Sequence, residues 1–199
     1  MKRRANRDRF GGVTALWIGA MLAAWLVLSP AVRDAHADQN DPRLDTLFTE
    51  LRRAENAAVA ERIDSRIWTI WLESGSGVVD LMMTEGLKAL ALGRHQAALE
   101  AFDTAVRTAP KFAEAWNKRA TVHFLLGDYE ASRRDAEMTL ELEPRHFGAM
   151  SGLGAIYLTL EQPAEALEWF RKAIGIHPHL EGVRKRIRSL EAEVEGRAI

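Results

Sequence analysis

The sequence predicts an all-α protein, an α-solenoid of repeated helix pairs closed by capping helices, and three observations predict it. Pro110, Pro144 and Pro178 stand 34 residues apart. Sliding the chain by that period superposes residues of like size: Gly86 on Ala120 and Gly154, Ala98 on Ser132 and Ala166, Ala105 on Thr139 and Ala173. Within each period, apolar residues recur every three or four positions, as on a helix that buries one face.

Residues 1–37 form an address rather than a fold. Lys2, Arg3, Arg4 and Arg7 precede an apolar run from Val13 to Leu28, and Ala35-His36-Ala37 supplies the small-x-small pattern of a signal-peptidase site, with cleavage expected before Asp38. The basic start stays inside while the rest is exported, so the body is expected in the periplasm. A retained anchor is the alternative, because a 16-residue apolar run approaches the ~18 of a spanning helix. The body would then face the periplasm from the inner membrane, and this segment would be the protein's one membrane contact. The Arg3-Arg4 pair lacks the residues that usually follow in a twin-arginine signal, which favours the general export route.

Residues 38–78 read as a degenerate leading helix pair. Asp41-Pro42 is a helix opening, with a side-chain acceptor and then a proline whose missing amide is not needed. Arg43 to Glu73 follows as the pair, and Gly75-Ser76-Gly77 closes it. One period back from the first repeat, Trp68 falls on the Phe102 column and Trp71 on the Ala105 column.

Three repeats follow over residues 79–112, 113–146 and 147–180. In the second, helices are expected over Ala113 to Leu126 and Tyr129 to Leu142, with Gly127-Asp128 at the join. The small columns let paired helices approach closely, while Trp116 and Phe170 are expected to fill the gaps between layers. Each boundary proline ends its helix by removing an amide hydrogen and striking the previous turn. Residues 181–199 form a last helix and tail, with Val183, Ile187, Leu190 and Val194 on the face that covers the final repeat.

Trp116, Gly127, Asp128, Tyr129 and Pro144, with Gly154, Tyr157, Ala166, Phe170, Ala173 and Pro178 in the next copy, resemble the tetratricopeptide repeat family over Val79 to Pro178. The resemblance implies a right-handed solenoid whose first helices line a concave wall that holds a peptide or helix of another protein. On the 34-residue register that wall comprises Met83, Leu87, Asn117, Thr121, Phe124, Ser151, Ala155 and Leu158, with Lys118 beside it. Some relatives grip terminal carboxylates with lysine and asparagine. Only Asn117, Lys118 and Arg184 fit that pattern here, so an apolar ligand segment is the better expectation.

Chemistry is sparse by comparison. Zero cysteines exclude disulfides, thiolate metal sites, a cysteine nucleophile and a lipid-modified cysteine. The leader carries a net charge of +4 and the remainder −5, with no basic run that would suit nucleic acid. No histidine pair has the spacing of a zinc-protease helix, and His177-Pro178-His179 sits on a repeat boundary. The run Gly148 to Gly154 has no preceding strand to make a phosphate loop. It reads as close helix packing that leaves a shallow, accessible surface. Arg119 occupies a column filled by Leu153 in the third copy and therefore needs a partner, for which Asp135 is the candidate. The cluster Arg184, Lys185, Arg186 and Arg188 reads as a solvated face, helped by Glu181. No catalytic residue, cofactor or metal is expected. The function predicted is a protein-binding scaffold or adaptor of the envelope, or alternatively an anchored accessory subunit of an envelope assembly or secretion complex.

Overall fold

A computed structural model describes residues 38–197 of the protein, with side chains placed over 39–192. The expected export signal lies outside the described residues. Within them there are nine α-helices and no strand, and no helix is long and apolar enough to cross a membrane.

After a short 3-10 turn (Asp38–Asn40), α1 (Arg43–Arg52) and α2 (Ala57–Leu72) form a hairpin. Three pairs follow: α3 (Gly77–Ala91) with α4 (His95–Thr108), α5 (Ala113–Leu125) with α6 (Tyr129–Leu142), and α7 (Phe147–Thr159) with α8 (Pro163–Ile176). The last helix, α9 (Glu181–Arg197), packs on α8 through Ile187 and Leu190, which join Phe170 in one apolar cluster. It closes the stack as expected.

Each repeat turns at the same place. Gly93 and Gly127 adopt φ of +67° and +81°, and the third position in that column is Glu161 at +58°. Glycine takes this left-handed conformation without steric cost, whereas a glutamate is strained there. Polar caps reinforce the starts: Asp128 accepts from the Ala131 amide at 3.0 Å, and Asn56 accepts from Val59 at 3.0 Å. At the chain's first helix, Asp41 receives the Arg43 amide at 2.8 Å.

Close approach within repeats 1 and 3 depends on a glycine facing a phenylalanine. A Cβ on Gly86 would lie 2.5 Å from the Phe102 ring, and one on Gly154 would lie 2.5 Å from Phe170. Both rings are fully buried. Trp116, by contrast, is only partly buried. Its indole N–H donates to the Pro110 carbonyl at 2.9 Å and its ring lies 4.7 Å below the Arg119 guanidinium. The aromatic that fills the gap between repeats 1 and 2 is instead Phe112, just before α5, which lies in the core with Phe102 and Val106.

The hairpin departs from the repeat register. It does not stack in front of α3 as another layer. Its apolar core of Leu44, Phe48, Leu51, Ile63, Ile67 and Trp71 takes in Phe147, and Ile176 and Leu180 pack against it. The hairpin therefore folds back along the edge where one repeat joins the next. Gln39 donates to the Lys111 carbonyl at 2.6 Å, Arg145 pairs with Asp45 at 2.6 Å, and His179 meets the Ala54 carbonyl at 2.9 Å. Tryptophan is why register failed here: Trp68 and Trp71 bury their rings on the loops and helix starts of repeats 2 and 3, where no periodic column points.

Candidate functional site: the concave face of repeats 2 and 3

The first helices of repeats 2 and 3, α5 and α7, carry the face predicted to bind. Their outer half opens into a cleft of about 120 Å³. Asn117, Thr121 and Phe124 line it from α5, Gly152 and Ala155 from α7, and Ala120, Ser132 and Ala136 form its floor toward α6.

The cleft exists because repeat 2 breaks the pattern of its neighbours. Position 136 aligns with Phe102 and Phe170, yet it is alanine, and the glycine that faces those rings is Ala120. Two methyl groups replace a ring against a bare backbone; Leu153 and Ile156 of α7 pack onto both alanines, and the small cleft remains beside them between α5, α6 and α7. The Ser132 hydroxyl, which would otherwise be orphaned there, donates to the Ala120 carbonyl at 2.8 Å. The floor is thus apolar and satisfied.

Of the predicted wall, the cleft unites Asn117, Thr121, Phe124 and Ala155. The others lie elsewhere. Met83 is 2% exposed in the core beside Phe102 and presents nothing to a groove. Leu87 packs against that same core. Leu158 leans on the cluster beneath α9. Ser151 turns its hydroxyl to the Phe147 carbonyl at 2.8 Å. Lys118 points toward the hairpin, 2.7 Å from Glu114 and 4.8 Å from the centre of the Trp68 ring. Alignment to Phe102 and Phe170 would have exposed the floor residues Ala120 and Ala136, which the wall register omits.

The inner half of the same face is covered by α2. Trp68 lies over Gly148, where a Cβ would sit 2.8 Å from its ring, and Trp71 stacks on His146 at 4.1 Å with 9° between planes. A buried polar group holds this seat. His146 caps α7 by accepting the Ala149 amide on Nδ1 at 3.1 Å, so Nε2 bears the proton that it donates to Glu114 at 2.9 Å. Asn117 donates to the same carboxylate at 2.9 Å. Burial pushes the Glu114 carboxyl up, but the Lys118 ammonium and the His146 bond outweigh it and hold it below the ordinary value. Neither Glu114 nor His146 was legible as buried.

The charges singled out in the sequence are structural. Arg119 grips Asp135 with two bonds of 2.7 and 2.8 Å, as expected, and reaches Asp103 at 2.8 Å, tying α5 to both neighbouring second helices. Its column mate Glu85 is exposed and pairs with Lys88. Arg184 and Arg188 are solvated, and Glu181 serves these two. His177 faces Asp64 at 3.7 Å across the hairpin seam. Burial draws the His177 imidazole down to about 4, with His179 contributing, and lifts the Asp64 carboxyl to about 6. Among the described residues no cluster of histidine and carboxylates is arranged to hold a metal.

Stacked helix pairs with a turn glycine and an open first-helix face define a repeat protein of the protein-binding kind. Tetratricopeptide repeat models match residues 83–137 and 111–178. A TPR repeat-containing protein of Rhizobium etli is 36% identical over 77% of this chain and 76% of its own length. The chain belongs to the tetratricopeptide repeat family. Small glutamine-rich tetratricopeptide repeat-containing protein 2 of Saccharomyces cerevisiae is 30% identical over 59% of this chain, but that match spans only 34% of the relative. In solved structures the fold recurs in the first TPR of Spaghetti bound to an HSP90 peptide, with a TM-score of 0.58 and 18% identity over 60% of this chain and 95% of that one. It recurs also in MamA, with a TM-score of 0.56 and 19% identity over 76% and 80%.

Proposed function

We propose that this protein is a non-enzymatic adaptor of the cell envelope that captures a segment of a partner polypeptide in the cleft of repeat 2, by inserting one large apolar side chain. The observation that supports this reading is the hole itself. Repeats 1 and 3 fill the equivalent place with their own phenylalanine, whereas in repeat 2 Leu153 and Ile156 pack over the two alanines and a small cleft remains on the first-helix side. A few buried anchors of this kind supply most of the affinity in many protein interfaces. Thr121, exposed at the rim, is placed to meet a ligand backbone, while Asn117 is held beneath it by Glu114. The HSP90 peptide held by a relative in fold supports a peptide as ligand.

Export by residues 1–37 would put the adaptor in the periplasm, and the Val13–Leu28 run favours a second reading as an anchored subunit of an envelope assembly or secretion complex. Mass spectrometry of the mature protein separates them, since a first residue of Asp38 means a soluble adaptor. The binding site is tested with Gly152→Trp. A Cβ there meets nothing within 4 Å, so the chain folds while the indole blocks the cleft. Affinity capture from envelope extracts should retain a partner on the wild-type protein and lose it on the variant. Equal retention by both would place binding elsewhere.

A further inference from the structure

Helix α2 of the hairpin rests on the same face through Trp68, against Gly148 and Lys118, and the details of its contact are those of a cover rather than a layer. The hairpin's apolar core takes a single buried hydrophobic residue, Phe147, from the repeats, and the hairpin joins α3 through the non-helical segment 73–76, where Gly75 takes φ of +71°. Its seam on the repeats, though bonded at Lys111, Asp45 and Ala54, leaves three buried polar atoms unsatisfied. Gln39 Oε1, Asp64 Oδ1 and Trp71 Nε1 are buried without a hydrogen bond. Asp64 also faces His177 beyond hydrogen-bond range at 3.7 Å. Such groups regain water when the seam opens, which offsets part of the apolar surface exposed.

The covered and open halves are continuous. Gly148, on which Trp68 rests, also lines the cleft, one turn of α7 before Gly152. A ligand longer than the cleft therefore runs into Trp68. Resting on the function proposed above, we infer that the hairpin is a releasable intramolecular occupant of the groove. The partner is then a helix with an aromatic anchor that takes over the seat of Trp68 on Gly148 and Lys118. The chain's own α2 shows the recognition chemistry: an indole against a glycine, 4.8 Å beneath a lysine ammonium.

Native-state hydrogen exchange on the full chain, read by mass spectrometry, tests the release. Amides of α1 and α2 should exchange as one block at least tenfold faster than those of α6 and α8. Gly148→Ala, whose new methyl strikes the Trp68 ring, should speed that block a further tenfold while α6 and α8 stay protected. A hairpin as slow as α6 and α8 in both proteins would overturn the proposal and leave capture sensitive to Gly152→Trp untouched. The seat is tested with a labelled peptide of residues 55–74. It should bind the full chain carrying Trp68→Ala at least tenfold more tightly than wild type, provided α6 and α8 remain protected. Equal binding to both chains, or undiminished binding of a peptide that itself carries Trp68→Ala, would contradict it.

Discussion

Repeat 2 and its neighbours differ at two facing positions, and the difference converts a packing layer into a candidate site. Repeats 1 and 3 set a phenylalanine against a glycine so closely that a single methyl on the glycine would overlap the ring. Repeat 2 sets Ala136 against Ala120, which removes the overlap and the ring together and leaves Leu153 and Ile156 to pack over the two alanines beside the cleft. Neighbouring repeats in a solenoid share a common architecture, so a departure confined to one of them is informative when it leaves a satisfied, accessible space.

The comparison can be broken from the filled side first. Phe170→Ala deletes a ring that is 1% exposed and should cost about 3–5 kcal/mol, read from denaturant unfolding. A cost near that of an exposed site would mean that repeat 3 holds its layers by other contacts. From the empty side, Ala136→Phe alone should cost about 1–3 kcal/mol, because its ring meets the Cβ of Ala120. Adding Ala120→Gly should recover most of that loss, although glycine in a helix by itself costs about 1 kcal/mol. This sign reversal of the Ala120→Gly effect is a double-mutant-cycle signature of direct contact. The smallest effect lies in the turns. Glu161→Gly should raise stability by about 0.5–1 kcal/mol, since it removes left-handed strain that Gly93 and Gly127 avoid.

The repeats were legible in the sequence because proline, glycine and small-residue columns impose their geometry locally. The helices of repeat 2 begin where Ala113 and Tyr129 were expected to begin them. The Arg119–Asp135 pair was legible for a related reason, since a charge in an aliphatic column must find a neighbour. The hairpin was legible as two helices but not in its placement. Aligning Trp68 and Trp71 to the repeat columns assumes that they face the next layer, whereas their rings bury on helix starts and loops of repeats 2 and 3. Only part of the candidate wall lies together at the cleft, because register gives a residue's face but not its depth. Met83 shares the column of Asn117, yet repeat 1 buries it beneath Phe102, while Asn117 lines the cleft. Trp116 misled in the other direction, a large residue that spreads over the surface beneath Arg119.

In the proposed function a partner supplies the missing ring of repeat 2. That reading is tested most directly by the double variant Ala120→Gly, Ala136→Phe, which gives repeat 2 the pair found in repeats 1 and 3. With circular dichroism showing a helical content and a cooperative transition like those of the wild type, the variant should lose the partner that the wild-type chain captures. Full retention of that partner by the folded double variant would contradict the account.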